Sequence, residues 1–163
     1  MLRLILIAVA LLLGGCASLE EQAVGPDIYV MRHLHTPAGA RNPDLTPVGQ
    51  HHAVLLDRWF SRRGAPDVIY VSNTTRARQT AAVLAARLKL APKVYDPADT
   101  AALVAAVMTE PGTVLVVGHS NTVPDIVARV GGTRPRPLVH EDFGDVWRVA
   151  GPGRVTSHFK LSE

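Results

Sequence analysis

Three short stretches of this chain carry side chains able to handle an anion. In "DIYVMRHLHTP", Asp27 to Pro37, an apolar run ends without a turn residue and places Arg32 beside His33, with His35 two positions on. In "SNTTRARQTA", Ser72 to Ala81, Arg76 falls in the opening turn of a helical stretch. In "GHSNT", Gly118 to Thr122, His119 follows a second apolar run. A guanidinium offers a planar fork of N–H donors that suits phosphate and carboxylate alike. An imidazole near neutral pH keeps a lone pair for nucleophilic attack. Two of each in one place would trap a dianion, most simply a phosphoryl group.

They share a place only if the fold brings three strand ends together. Residues 27–32, 67–72 and 113–118 read as strands, the first and third nearly continuous in apolar residues, as expected of strands covered on both faces. A short strand is expected at 93–95. "DVWRV" and "VTSHFKL" read as a closing antiparallel pair around Gly151-Pro152-Gly153. Helices are expected from Thr46-Pro47 to about Arg63, from Thr74 to Leu88, from Asp99 to Met108 and from Val123 to Val130. Thr46 before Pro47 is an N-cap followed by a proline at the first helical position. Alternating β and α elements predict an α/β fold of three layers, helices on both faces of a mostly parallel central sheet. Parallel strands put Arg32, His33, Arg76 and His119 on one edge of the sheet, where such folds bind ligands. Two helix N-termini would add partial positive charge there.

The whole set resembles the histidine phosphatase superfamily, whose fold is phosphoglycerate mutase-like. "RHLHT" matches its opening Arg-His-Gly motif, "DLTPVGQ" its Leu-Thr-x-x-Gly signature, Ser72 to Ala81 its arginine signature residue for residue, and Gly118-His119 its second-histidine motif. The resemblance spans residues 27 to 160. It implies that His33 is a nucleophile that takes the phosphoryl group as a phosphohistidine, which water then hydrolyses. Arg32 and Arg76 would hold the non-bridging oxygens, and His119 would bind the group and stabilise charge in transfer. Charge-assisted hydrogen bonds contribute about 1.5–3 kcal/mol each, so three or four can stand in for a metal. Neither a metal nor another cofactor is expected. The nearby arginines are expected to disfavour protonation of His33. Leu34 departs from the pattern, which has Gly there; its side chain either narrows the pocket or turns into the core.

The leaving-group acid is the open position. The interval between Arg76 and His119 holds only Asp96, Asp99 and Glu110 as acids. Asp99 is the candidate, with capping of the next helix as its alternative role. Small phosphohistidine phosphatases of this superfamily lack the usual acid. His35 is a candidate for the entrance, and His51 and His52 are expected at the surface. Two other readings compete. "VLVVGHSNT" resembles a nucleophile elbow, which would make Ser120 an esterase nucleophile with Asp125 or Asp145 and His158 as partners. A phosphate- or partner-binding module without turnover would need the same pocket and no acid.

The N-terminus is a separate matter. Met1-Leu2-Arg3 leads into ten uninterrupted apolar residues, Leu4 to Leu13, and then "LGGCAS". A spanning helix needs ~20 residues, so this is the length of a signal h-region. The stretch resembles the lipobox of bacterial lipoproteins, with Leu13 and Gly15 at −3 and −1 from Cys16. Residues 1–15 are expected to be a signal peptide, 16–26 a lipidated Cys16 and tether, and 27–163 the domain. Acylation would anchor the chain in the cell envelope. Ala17 after the cysteine is not Asp, which in that family favours the outer membrane, facing the periplasm. Cys16 is the only cysteine, which excludes a disulfide framework. At 163 residues one domain is expected. The net charge is only +3 and its 14 arginines are scattered, so no nucleic-acid stripe emerges. The expected partners are a small phosphorylated substrate or a phosphoprotein, and the membrane through the lipid.

Overall fold

The computed structural model describes residues 25–39 and 41–162. The expected signal peptide, Cys16 and most of the tether lie outside these residues. In chain order the elements are β1 (Asp27–Arg32), α1 (Pro47–Ser61), β2 (Val68–Ser72), α2 (Thr75–Leu88), β3 (Lys93–Tyr95), α3 (Thr100–Met108), β4 (Thr113–Gly118), α4 (Val123–Arg129), β5 (Asp145–Ala150) and β6 (Val155–Lys160). The six strands form one sheet in the order β3-β2-β4-β1-β5-β6. β1 pairs in parallel with β4, β4 with β2, and β2 with β3; β5 and β6 close the other edge antiparallel.

Side-chain alternation in the central strands explains the three layers. Tyr29, Met31, Ile69, Val71, Leu115 and Val117 point to one face, where they pack with Leu56 and Phe60 of α1 and Ala81 and Leu84 of α2. Ile28, Val30, Tyr70, Val114 and Val116 point to the other, against Leu103 and Val107 of α3 and Ile126 and Val127 of α4. A strand covered on both faces is apolar along its buried run, as residues 28–31 of β1 and 114–117 of β4 are. The α/β architecture expected from the sequence is the one observed.

The order of strands decides where the site lies. β4 sits between β1 and β2, so the ends carrying Arg32, His119 and Ser72 are on three adjacent strands. The β1–β4 register pairs Arg32 with Gly118, and the His33 N–H donates to the Gly118 carbonyl at 2.9 Å. His33 and His119 therefore leave the sheet side by side, with ring centroids 5.4 Å apart.

Candidate active site

The segment after β1 is held from two directions. Leu34 is fully buried in the α1–α2 core layer, so its side chain turns away from the cleft. Its N–H donates to Thr80 Oγ1 at 2.9 Å, and Thr80 in turn donates to the Arg76 carbonyl at 2.8 Å. The His35 carbonyl accepts from the Thr46 N–H at 2.9 Å, next to the start of α1. Gly49 belongs to the same contact: a Cβ there would stand 2.4 Å from the His35 carbonyl oxygen, so only glycine lets the helix approach. The "DLTPVGQ" stretch is thus a clamp on the loop behind His33. Gln79 ties α2 to it, donating to Asp44 Oδ1 and accepting from the Leu45 N–H, both at 2.8 Å.

With the main chain fixed, the His33 ring is fixed too. Its Nδ1 lies 2.8 Å from the Leu34 carbonyl oxygen. A carbonyl can only accept, so Nδ1 carries the proton and Nε2 keeps the lone pair. His33 is 5 % exposed. Burial is the main reason its pKa falls from 6.5 to about 3; the Leu34 hydrogen bond opposes the fall, and Arg32, His119 and Arg76 add to it. The arginines do disfavour protonation as expected, but desolvation does more.

His119 is wired differently. Arg76 Nη2 stands 3.5 Å from its Nδ1, and its Nε2 lies 2.8 Å from Ser72 Oγ. Because the guanidinium can only donate, the neutral ring has its proton on Nε2 and gives it to the serine. Ser72 is fully buried and reaches Thr74 Oγ1 at 3.0 Å; Thr74 caps α2 by accepting from the Ala77 N–H. Burial, then Arg76 and Arg32, lower the His119 pKa to about 4. Both histidines are neutral at physiological pH.

Arg32 is 7 % exposed. Its Nη1 donates to the carbonyls of Val139 and His140 at 2.7 and 3.1 Å, and its guanidinium carbon stands 4.1 Å from the Phe143 ring centre. Its Nε is buried without a hydrogen-bond partner. A buried donor left unpaired costs about 1–3 kcal/mol, so an acceptor arriving there is favoured. Arg32, His33, Arg76 and His119 line one cleft of about 250 Å³ together with Thr36, Gly39, Ser120, Asn121 and His140. No carboxylate is on its wall among the described residues.

Four of the expected site residues are therefore together, and Asp99 is not. Its side chain accepts from the Ala102 N–H at 2.9 Å and caps α3, beside a different cavity lined by Tyr95 and Asp96. Asp99 is not among the residues that line the cleft. His35 also stands off the cleft wall, packed between Phe143 and His52 at 4.5 and 4.6 Å between ring centres. His51 is exposed, as expected, and His52 is half-buried. The elbow triad is not assembled: Ser120 lines the cleft, whereas His158 bonds Asp145 at 2.9 Å beside Trp147 in another cavity, and Asp125 pairs with Arg129 and Arg134. Sequence reasoning missed His140, Phe143 and the Val139 carbonyl. They belong to a proline-rich connection more than 100 residues from Arg32, with no motif to announce the contact.

Residues 28–98 match the model of the histidine phosphatase superfamily (branch 1). That segment includes Arg32, His33 and Arg76 but ends before His119. Solved structures extend the likeness to the rest of the fold. The protein histidine phosphatase SixA complexed with tungstate is 20% identical, with a TM-score of 0.62 over 83% of this chain and 96% of that one. A mycobacterial glucosyl-3-phosphoglycerate phosphatase complexed with VO3 is 16% identical, with a TM-score of 0.64 over 83% and 98%. The same mycobacterial enzyme with inorganic phosphate is 17% identical, with a TM-score of 0.64 over 85% and 98%. At these identities the likeness establishes the shared fold. The family match thus covers the segment with Arg32, His33 and Arg76, and the solved structures add the fold of the remainder. No curated protein matches the chain.

Proposed function

We propose that this protein is a phosphatase that hydrolyses phosphomonoesters, or the phosphoryl group of a phosphoprotein, through a phosphohistidine on His33. The observation that carries the reading is the hydrogen bond from His33 Nδ1 to the Leu34 carbonyl, which leaves the lone pair on Nε2 in a residue that lines one cleft with Arg32 and Arg76. In the first step Nε2 forms a bond to phosphorus while the bond to the leaving oxygen breaks, and its electron pair departs with that oxygen. The ring now bears positive charge, which the Leu34 carbonyl stabilises through Nδ1–H. In the second step a water oxygen attacks phosphorus and the P–N pair returns to Nε2. Arg32, Arg76 and His119 hold the non-bridging oxygens and offset charge in both transfers, electrostatic work that a metal would otherwise do. Three structural neighbours were solved with tungstate, VO3 or phosphate, oxyanions of the kind this cleft should take.

The test is hydrolysis of 4-nitrophenyl phosphate by the full chain. Arg76→Ala should lose about 10²-fold or more, the scale of removing one charge-stabilising donor. Arg58→Ala, an exposed arginine on α1, should lose little. Chelator should leave the rate unchanged and vanadate should inhibit. Equal losses from the two arginine variants would mean that the cleft is not the site. Binding of phosphate without turnover would instead favour a binding module on the same fold.

Location is part of the same proposal: an acylated Cys16 anchors the domain in the bacterial envelope, at the outer membrane and facing the periplasm. The full chain should partition into detergent and Cys16→Ser should not; equal partitioning would remove the anchor.

A further inference from the structure

An alkoxide is a poor leaving group, and none of the residues assigned so far can protonate it. Arg32 and Arg76 keep their protons. His33 and His119 are neutral: the Leu34 carbonyl holds the proton of His33, and that of His119 serves Ser72 or, after a tautomer shift, a non-bridging oxygen. The nearby carboxylates are engaged elsewhere. Asp99 caps α3, Asp44 accepts from Gln79, and Asp142 pairs with Arg136 and accepts from the Val139 N–H.

One more imidazole lines the cleft. His140 is exposed and lines the same cleft as His33 and His119. Its main chain is pinned because its carbonyl and that of Val139 both accept from Arg32 Nη1. Its ring meets Phe143 edge-on at 5.4 Å between centres, and Phe143 also lies 6.0 Å from the His33 ring and beneath the Arg32 guanidinium. Phe143 is thus a common platform for the nucleophile, the phosphate-facing arginine and His140. An exposed imidazole is the side-chain type best able to give and take a proton near neutral pH.

We propose that His140 is the general acid that protonates the leaving oxygen and the general base that then activates water. The inference rests on the reading of His33 as nucleophile. As the P–O bond breaks, the imidazolium of His140 transfers its proton to the departing oxygen and becomes neutral. The same neutral ring takes a proton from water as the water oxygen bonds to phosphorus and the P–N bond breaks. One turnover consumes one water and returns both histidines to their starting states.

The experiment compares the full chain with His140→Gln and Glu141→Gln, on 2,4-dinitrophenyl phosphate and on glycerol 2-phosphate. Glu141 is the control because it is the adjacent exposed carboxylate but does not line the cleft. General acid catalysis is worth about 10²–10⁴-fold, so His140→Gln should lose that much kcat/KM on the alkyl ester. On the dinitrophenyl ester, whose leaving group needs no proton, kcat/KM should change less than about threefold. For that ester kcat should fall and acid-labile label should build up on His33, because the second step has lost its base. Glu141→Gln should behave as wild type. Equal losses of kcat/KM on both esters would overturn the role of His140, as would a leaving-group effect confined to Glu141→Gln. A wild-type enzyme that turns over both esters without ever labelling His33 would instead overturn the nucleophile reading, and His140 with it.

Discussion

At the end of β1, His33 donates to a main-chain carbonyl; one strand over, at the end of β4, His119 meets a hydroxyl and a guanidinium. The two residues are almost equally buried, 5 % and 8 % exposed, and both are held neutral mainly by that burial. What separates them is the partner. A carbonyl cannot donate, so the proton on His33 Nδ1 has nowhere else to go and the Nε2 lone pair is obligatory. A serine hydroxyl both donates and accepts, so Ser72 can reverse its bond to His119. When an oxyanion replaces Arg76 at Nδ1, the His119 proton can move to that nitrogen and point at the oxyanion, with Ser72 then donating to Nε2. One strand end fixes a tautomer and the other leaves it adjustable, which suits a nucleophile and an electrostatic partner respectively.

That contrast can be broken in graded steps. His119→Ala should cost about 10²–10³-fold in kcat, the scale of removing one donor from a transition state, while His33 still accepts the phosphoryl group slowly. Uniformly fast labelling in this variant would mean that His119 does not act on the transfer. Ser72→Ala removes only the adjustable partner. A net hydrogen bond is worth about 0.5–1.5 kcal/mol, so a loss of roughly 2- to 12-fold is expected. It should fall on kcat rather than KM, and Ser72→Thr should restore part of it. An unchanged kcat in Ser72→Ala would show that the His119 tautomer is set by Arg76 alone.

Acid should act on stability through both rings. An unfolded imidazole titrates near 6.5, whereas the folded rings titrate at about 3 and about 4. Between those values the unfolded chain binds protons that the folded one refuses, so the stabilising effect is full above pH 6.5 and is lost as pH falls through this window. Tm should therefore decline from pH 7 to pH 4.5, and decline less steeply in His33→Gln. Parallel profiles for the two proteins would contradict the burial argument.

The central strands and the four helices were legible because each residue does one job: residues 28–31 of β1 and 114–117 of β4 are apolar because both faces are covered there, and Thr46 and Thr74 stand where helices need caps. The convergence of Arg32, His33, Arg76 and His119 was legible for the same reason, since parallel strands share an edge. Asp99 was ambiguous because a carboxylate before a helix fits either capping or catalysis, and its hydrogen bond to the Ala102 N–H, beside a different cavity, is visible only in the fold. His140 was not legible at all. Its position depends on how residues 132–143 return over Phe143 to meet Arg32, a contact set by packing and by two backbone carbonyls rather than by residue type. Of the two roles open to Leu34, narrowing the pocket or turning into the core, the structure shows the second, with its backbone bonding His33 and Thr80.

The most direct test of the account is rapid-quench labelling of the full chain with [³²P]-labelled aryl phosphate, comparing wild type with His33→Ala. The predicted label is acid-labile and alkali-stable, as a phosphoramidate is, and it resides on wild type alone, with activity in His33→Ala reduced by at least about 10³-fold. Full activity in His33→Ala, or an acid-stable label retained by that variant, would contradict the nucleophilic role of His33 and with it the function proposed for the cleft.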